Sequence, residues 1–477
     1  MLKVLFTASE AAPFIKTYEI ADVVGLLPQE LSKIGIDVRV IIPKYKGISK
    51  SFKASMKYKG YTFVKVGWRS QYCGIFEYIK DGVRFYFIDN EYYFDRDTLY
   101  GHIDDAERFG FFCEAVLASL KVIDFKPDII HCNDWQTGYI SALMKINNSG
   151  DEFYNNIKTV YTIHNLQYQG IFPKSVLGDI LGIDHSNFTS DKLEYYGNVN
   201  YMKAGIVYSD LLTTVSPTYS DEIKTANYGE GLDGILKARK NQLYGILSGL
   251  DYIEYNPESD KHIYVHYNGN KFKKKAYNKR CLQKEVGLPQ RGDLPVMAFV
   301  SRLAPQKGID LIECVIEEIA SMDLQFIILG KGEQKFENLF RHMARKYPDK
   351  ISANITFSSK LSHRIYAGSD MLLMPSKIEP CGVGQMISLR YGTVPIVRET
   401  GGLKDTVKSC NEFTYEGNGF SFSNYNAEDM LYTMKRAARY FYDKKIWNML
   451  ARTSMEMDFS WGKSAKKYID LYNIMVL

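Results

Sequence analysis

Short apolar runs recur along the chain, separated by polar-faced stretches of helix length. Lys3-Val4-Leu5-Phe6-Thr7 reads as a strand, Asp22 to Lys33 as a helix, and Asp37-Val38-Arg39-Val40-Ile41-Ile42 as a strand ended by Pro43. Pro127-Asp128-Ile129-Ile130-His131 and Thr159-Val160-Tyr161-Thr162-Ile163-His164 continue the series. Near-continuous runs of this kind mark strands buried on both faces of a parallel sheet, with helices in the crossovers. Between Tyr58 and Asn90 the spacing is that of hairpins and predicts an antiparallel insertion. A second series starts near Leu294, with strand-like runs at Pro295 to Val300, Leu324 to Gly330, Met371 to Pro375 and Val394 to Val397. Two such series predict an α/β chain of two doubly wound, Rossmann-like domains, joined around Leu247 to Asn256. Ligands of such sheets lie beyond the carboxyl ends of the strands, so a cleft between the domains is the expected site.

The totals narrow the function. A chain of 477 residues exceeds what one core usually organises, in keeping with two domains. The net charge of +5 is small for that length and its basic residues are spread, which argues against nucleic acid as a partner. Seven scattered cysteines without a CxxC pair or metal-ligand spacing predict a reduced, cytoplasmic chain; no metal centre and no cofactor are expected. The N-terminal apolar run meets Ser9 and Glu10 at once, so it reads as a first strand rather than a signal peptide. No apolar stretch approaches the ~20 residues of a membrane span, and no membrane partner is expected.

Two stretches carry chemistry. From Pro375 to Val407 a carboxylate, Glu379, follows a strand; a Pro-Cys-Gly turn leads into a helix expected near Val383. A helix start presents unpaired N–H groups to an anion, although a strand, a turn and an incidental glutamate would look the same. In Ser301-Arg302-Leu303-Ala304-Pro305-Gln306-Lys307-Gly308 two cations sit on a turn after a strand, where they can clamp a diphosphate. As isolated residues, such charges are more often solvated surface.

Together with ASEAAPFIKT, YFDRDTLYGHIDDAERF, HCNDWQTGY, TVYTIHNLQYQGIF, YGEGLDGIL, SRLAPQKGIDLI, EPCG, LRYGTVPIVRETGGLKDTV and MDFSW, these stretches resemble the bacterial glycogen synthase and plant starch synthase family over essentially the whole chain. The resemblance implies a GT-B fold and a retaining glycosyltransferase that moves glucose from ADP-glucose to the non-reducing end of an α-1,4-glucan, without a metal. It implies an acceptor-side domain at 1–245, a nucleotide-sugar domain at 246–455 and a terminal helix, 456–477, returning to the first domain. Glu379, His164 and Asp134 match the family's catalytic positions. Lys16, Arg302 and Lys307, with Cys381, Gly382 and Val383, match its donor-binding positions. Tyr93, Tyr100 and Trp135 match its acceptor side, with Trp135 open to packing or to stacking on a sugar.

The chain departs from that family in one loop above all. Lys16-Thr17-Tyr18-Glu19-Ile20-Ala21-Asp22 stands where the family has Lys-Thr-Gly-Gly-Leu-Gly-Asp, so three glycines are replaced. Glycine lets main-chain N–H groups approach a ligand closely, and Tyr18 adds bulk where that approach is expected. Lys377, Ile378, Gly384, Ser248 and Phe357 are further departures around the same ligand. Two readings follow: an active synthase, or a weakened or inactive relative that binds glucan in a regulatory role.

Overall fold

The computed structural model describes residues 1–476, and the chain divides into two compact units. The first comprises Met1–Val215, Ser220–Gly249 and the segment from Trp461; the second comprises Ser216–Tyr219 and Leu250–Ser460. The chain thus changes unit at 249/250 and 460/461, not at 245/246 and 455/456, and a four-residue segment at 216–219 counts with the second unit. The terminal helix, Trp461–Val476, counts with the first unit. Its expected last residue, Leu477, lies outside the described residues.

The strands of the first unit are β1 (Lys3–Thr7), β2 (Asp37–Pro43), β3 (Lys57–Val66), β4 (Arg69–Lys80), β5 (Val83–Asp89), β6 (Ile129–Asn133), β7 (Lys158–Ile163), β8 (Ile171–Pro173), β9 (Glu194–Tyr195), β10 (Asn198–Asn200), β11 (Leu211–Thr214) and β12 (Leu243–Gly245). Nine of them form one sheet in the order β12-β11-β7-β6-β1-β2-β5-β4-β3. Every pair from β12 to β5 is parallel, while β5, β4 and β3 run antiparallel, which is the expected hairpin insertion. Val4, Leu5 and Phe6 are fully buried, as are Ile129, Ile130 and Cys132, because a parallel sheet is covered on both faces. His131 is buried among them, with Nδ1 2.7 Å from the Tyr472 hydroxyl of the terminal helix and Nε2 2.5 Å from Thr162 Oγ1. Such bonds offset the loss of water around a buried polar ring.

The second unit holds β13 (Val296–Val300), β14 (Gln325–Leu329), β15 (Ile351–Asn354), β16 (Met371–Met374), β17 (Val394–Arg398) and β18 (Phe420–Phe422). They form a wholly parallel sheet in the order β15-β14-β13-β16-β17-β18. In both sheets the chain winds outward one way and then reverses, and the reversal lies between β1 and β6 in the first and between β13 and β16 in the second. At such a point the loops beyond neighbouring strand ends diverge and leave a crevice, where ligands of these sheets bind.

Candidate active site

In the first unit the loops at the β1/β6 reversal carry the polar groups. β6 runs into Asp134, which adopts φ 55° and ψ −179°, a backbone conformation uncommon outside glycine. That turn aims its carboxylate at the end of β7, where Oδ1 accepts the His164 main-chain N–H at 2.8 Å. Burial pushes the Asp134 carboxyl up to about 7, outweighing its bonds from the N–H groups of His164 and Asn165. His164 Nε2 lies 2.9 Å from Asn133 Oδ1, and burial pushes the ring down to about 3, so the imidazole is neutral at ordinary pH. Trp135 follows Asp134 in a single 3-10 turn and packs edge-on against Phe109 at 4.9 Å. Gly170, at φ +64°, lies so close to the indole that a Cβ would sit 2.4 Å from it. Trp135, although largely buried, lines a pocket of about 350 Å³ together with His102, Asp105, Gln167, Tyr168 and Gly170.

The loop after β1 is organised by Glu10, which is fully buried. Its carboxylate accepts the main-chain N–H of Thr17 and of Tyr18 (3.2 Å), the Thr17 hydroxyl (3.0 Å) and the Tyr100 hydroxyl (2.7 Å). Burial raises the Glu10 carboxyl even so, the bonds opposing it. The amides of residues 17 and 18 are therefore directed at the protein. The following helix begins at Ile20, two residues before the expected Asp22, and buries Ile20 and Ala21. Of the three positions that lack the family's glycine, 21 is thus a core position in the first helical turn. Lys16 Nζ lies 2.7 Å from the Asp22 carboxylate in a partly exposed pair.

In the second unit the loops at the β13/β16 reversal bring a cation and a carboxylate together. Lys307 Nζ donates to Glu379 at 2.9 and 2.8 Å, and the Ser376 hydroxyl donates to Glu379 Oε2 at 2.8 Å. Glu379 is 4% exposed, so its charge is held by these two partners. Arg302 stands exposed on the same loop as Lys307. The turn after Glu379 needs Gly382, whose φ is +70° and where a Cβ would lie 2.6 Å from Gln385 Oε1. Val383 is the N-cap of a helix of seven residues, Gly384–Arg390.

The expected residues thus fall into two constellations: Lys16, Tyr100, Asp134, Trp135 and His164 in the first unit, and Arg302, Lys307, Glu379, Gly382 and Val383 in the second. Two expectations change. Tyr93 is fully buried, packs against Phe111 with ring centroids 4.7 Å apart and tilted by 32°, and donates to Glu107 at 2.6 Å, so its ring is a core element rather than an open acceptor face. The Cys381 side chain is 2% exposed, which leaves only its main chain for a donor. Among the further departures, Phe357 is 91% exposed and Lys377 is exposed, while Ser248 is buried. Glu10 and Tyr168 were not anticipated as site residues. Glu10 had a signal, a carboxylate directly ending the first apolar run; Tyr168 had none beyond its place in TIHNLQYQG. Among the described residues, no group of three or more His, Cys, Asp or Glu side chains is arranged to hold a metal ion.

Comparison with known proteins finds relatives that match the chain over its full length. The family described as "Starch synthase catalytic domain" matches residues 3–238, and "Glycosyl transferases group 1" matches 283–439. The chain is 54% identical over 472 residues to a glycogen synthase of Anoxybacillus flavithermus, covering 99% of this chain and 98% of the relative. It is 52% identical over 473 residues to a glycogen synthase of Clostridium novyi, covering 99% of each. Among solved structures, the catalytic domain of starch synthase IV from Arabidopsis thaliana, bound to ADP and acarbose, superposes with a TM-score of 0.91 at 32% identity, covering 100% of this chain and 99% of that one. Sucrose-phosphate synthase from Thermosynechococcus elongatus, at 15% identity and a TM-score of 0.64 over 100% and 99% of the two chains, shares the fold. This chain belongs to the glycogen synthase and starch synthase family of GT-B glycosyltransferases.

Proposed function

We propose that this enzyme transfers glucose from ADP-glucose to the non-reducing end of an α-1,4-glucan, with retention of configuration, in the cytoplasm. The observation that carries the reading is the Lys307–Glu379 pair at the β13/β16 reversal, a cation and a carboxylate on the turns where a nucleotide sugar would lie. In this reading Lys307 and Arg302 bind the donor's diphosphate and offset the charge that grows on it as the glycosidic bond breaks. Lys307 is then drawn from Glu379 toward phosphate, and the carboxylate is released to orient the glucosyl ring or to support its oxocarbenium-like charge. Lys16 is held by Asp22 in a pair exposed enough to be worth little, so exchange for a phosphate oxygen is cheap. Asp134 and neutral His164 hold hydroxyls of the transferring sugar. Glu379 is the one carboxylate close to the donor in this scheme, which favours same-face attack assisted by the departing phosphate over a covalent intermediate. The relative bound to ADP supports the adenine nucleotide, and its bound acarbose supports a glucan acceptor.

A second reading has its own observation. The Thr17 and Tyr18 amides are directed at Glu10 and Tyr18 carries bulk, as would suit a weakened relative. The presence of Lys16, Arg302, Lys307 and Glu379 together favours the active enzyme. Single-turnover transfer from ADP-glucose and from UDP-glucose onto glycogen tests both. Transfer faster from ADP-glucose, with an α-configured product, is expected; transfer only from UDP-glucose would overturn the donor assignment.

A further inference from the structure

Tyr18 is the residue by which the loop after β1 differs most in bulk from a glycine-rich one, and its ring has a defined setting. It lies 6.0 Å from the Tyr100 ring at 46° and 6.1 Å from the Tyr168 ring at 48°. Tyr168 lines the 350 Å³ pocket together with Trp135, His102, Asp105 and Gln167. Tyr18 remains 42% exposed and Tyr168 44%, so each ring keeps surface that protein does not cover. Tyr100 is fixed from behind by its bonds to Glu10 and Ser9, both at 2.7 Å, and the Tyr18 amide is fixed by the same Glu10. The aromatic residue is therefore anchored at its backbone and partly exposed, and its neighbour Tyr168 lines a pocket that has polar groups at its sides.

That combination is what a sugar ring asks for. The axial C–H bonds of glucose carry a small positive charge and meet the negative face of an aromatic ring, while its equatorial hydroxyls need donors and acceptors at the edge. A diphosphate, by contrast, gains nothing from a phenol face. We infer that Tyr18 is a specificity-determining residue that stacks on a glucosyl unit of the α-glucan held at the Tyr168–Trp135 pocket, so that position 18 meets the acceptor while Lys16 of the same loop keeps its place toward the donor phosphate. The inference rests on the glucan acceptor assigned above and extends it to Tyr18, which stands where the resemblance places a glycine.

Calorimetric titration of the full-length protein with maltoheptaose, and separately with ADP, tests it on Tyr18→Ala and Tyr18→Phe. Loss of one stacking face should weaken maltoheptaose binding in Tyr18→Ala roughly three- to tenfold. Tyr18→Phe, which keeps the ring, should bind it as the parent does, and ADP affinity should not fall in either variant. Unchanged maltoheptaose binding in Tyr18→Ala, or equal loss in Tyr18→Phe, overturns the stacking role while leaving the glucan acceptor intact. A parent protein that binds no maltoheptaose overturns both.

Discussion

Glu379 is held from two sides, by the Lys307 ammonium and the Ser376 hydroxyl, in a setting that admits almost no water. Glu379→Gln keeps the shape and removes the charge. It should abolish most transfer, and it should also lower stability by about 1–3 kcal/mol, since Lys307 loses its ionic partner in a half-buried place. Activity assays with thermal unfolding check both, and near-parental transfer would sink the catalytic assignment. Asp134 makes a prediction in pH. Its carboxyl titrates near 7, whereas the neighbouring His164, pushed down to about 3, stays neutral. If the ionised carboxylate is the form that holds sugar hydroxyls, kcat/KM should rise with pH through about 7 and level off above it. Asp134→Asn should lose that inflection along with most activity. The same shift has an opposite sign for stability: the folded chain keeps a proton that the unfolded chain releases, so stability falls as pH rises from about 4 to 7. Residue types at these places were legible in the sequence because each follows the end of an apolar run. The environment of each was not, since Tyr93 and Tyr100 read alike in YFDRDTLYGH and only packing makes one a core residue and the other a ligand of Glu10.

The loop and helix after β1 behave as one element. Glu10 ties down the N–H groups of Thr17 and Tyr18, and the helix Ile20–Lys33 begins immediately afterwards. Position 21 is inside that helix and fully buried, so Ala21→Gly should destabilise by about 1 kcal/mol and leave the donor KM unchanged. Tyr18→Gly with Glu19→Gly acts instead on the part of the loop outside the helix. It removes the phenol and a carboxylate whose charge opposes a diphosphate, and should lower the donor KM several-fold, less at high salt. Steady-state kinetics of the two variants separate these effects; a donor KM that responds to position 21 and not to 18–19 would reverse the assignment. The sequence shows three missing glycines without showing which of them faces a ligand. A missing glycine in the sequence looks the same whether it faces a ligand or the core, and the helix start that distinguishes them carries no capping side chain to announce it.

Across the whole molecule, the buried parallel strands were the most legible feature, because each is a short apolar run bounded by polar residues. The short strands β11, β12, β15 and β18 carry weaker patterns, whereas the first change of unit, at 249/250, falls inside the joining stretch 247–256 read from the sequence. The four-residue segment 216–219 belongs with the second unit through Asp405, which accepts the Thr218 hydroxyl at 2.6 Å, a contact 187 residues distant in sequence. Binding of the nucleotide product should stabilise the native protein by mass action, by about 2.7 kcal/mol at a hundred times the dissociation constant. ADP should raise the melting temperature more than UDP at equal concentration, and Arg302→Ala should reduce that rise. An equal response to both nucleotides would remove the basis for the adenine preference.

The central claim is that the Lys307–Glu379 constellation makes this chain a working glucosyltransferase in spite of its altered loop. The most direct measurement is incorporation of radiolabelled glucose from ADP-glucose into glycogen by the purified protein, beside its Glu379→Gln variant. The account predicts time-dependent incorporation by the parent, released by α-1,4-specific hydrolysis, and little by the variant. Absence of incorporation by a folded parent protein that still binds glycogen would contradict it.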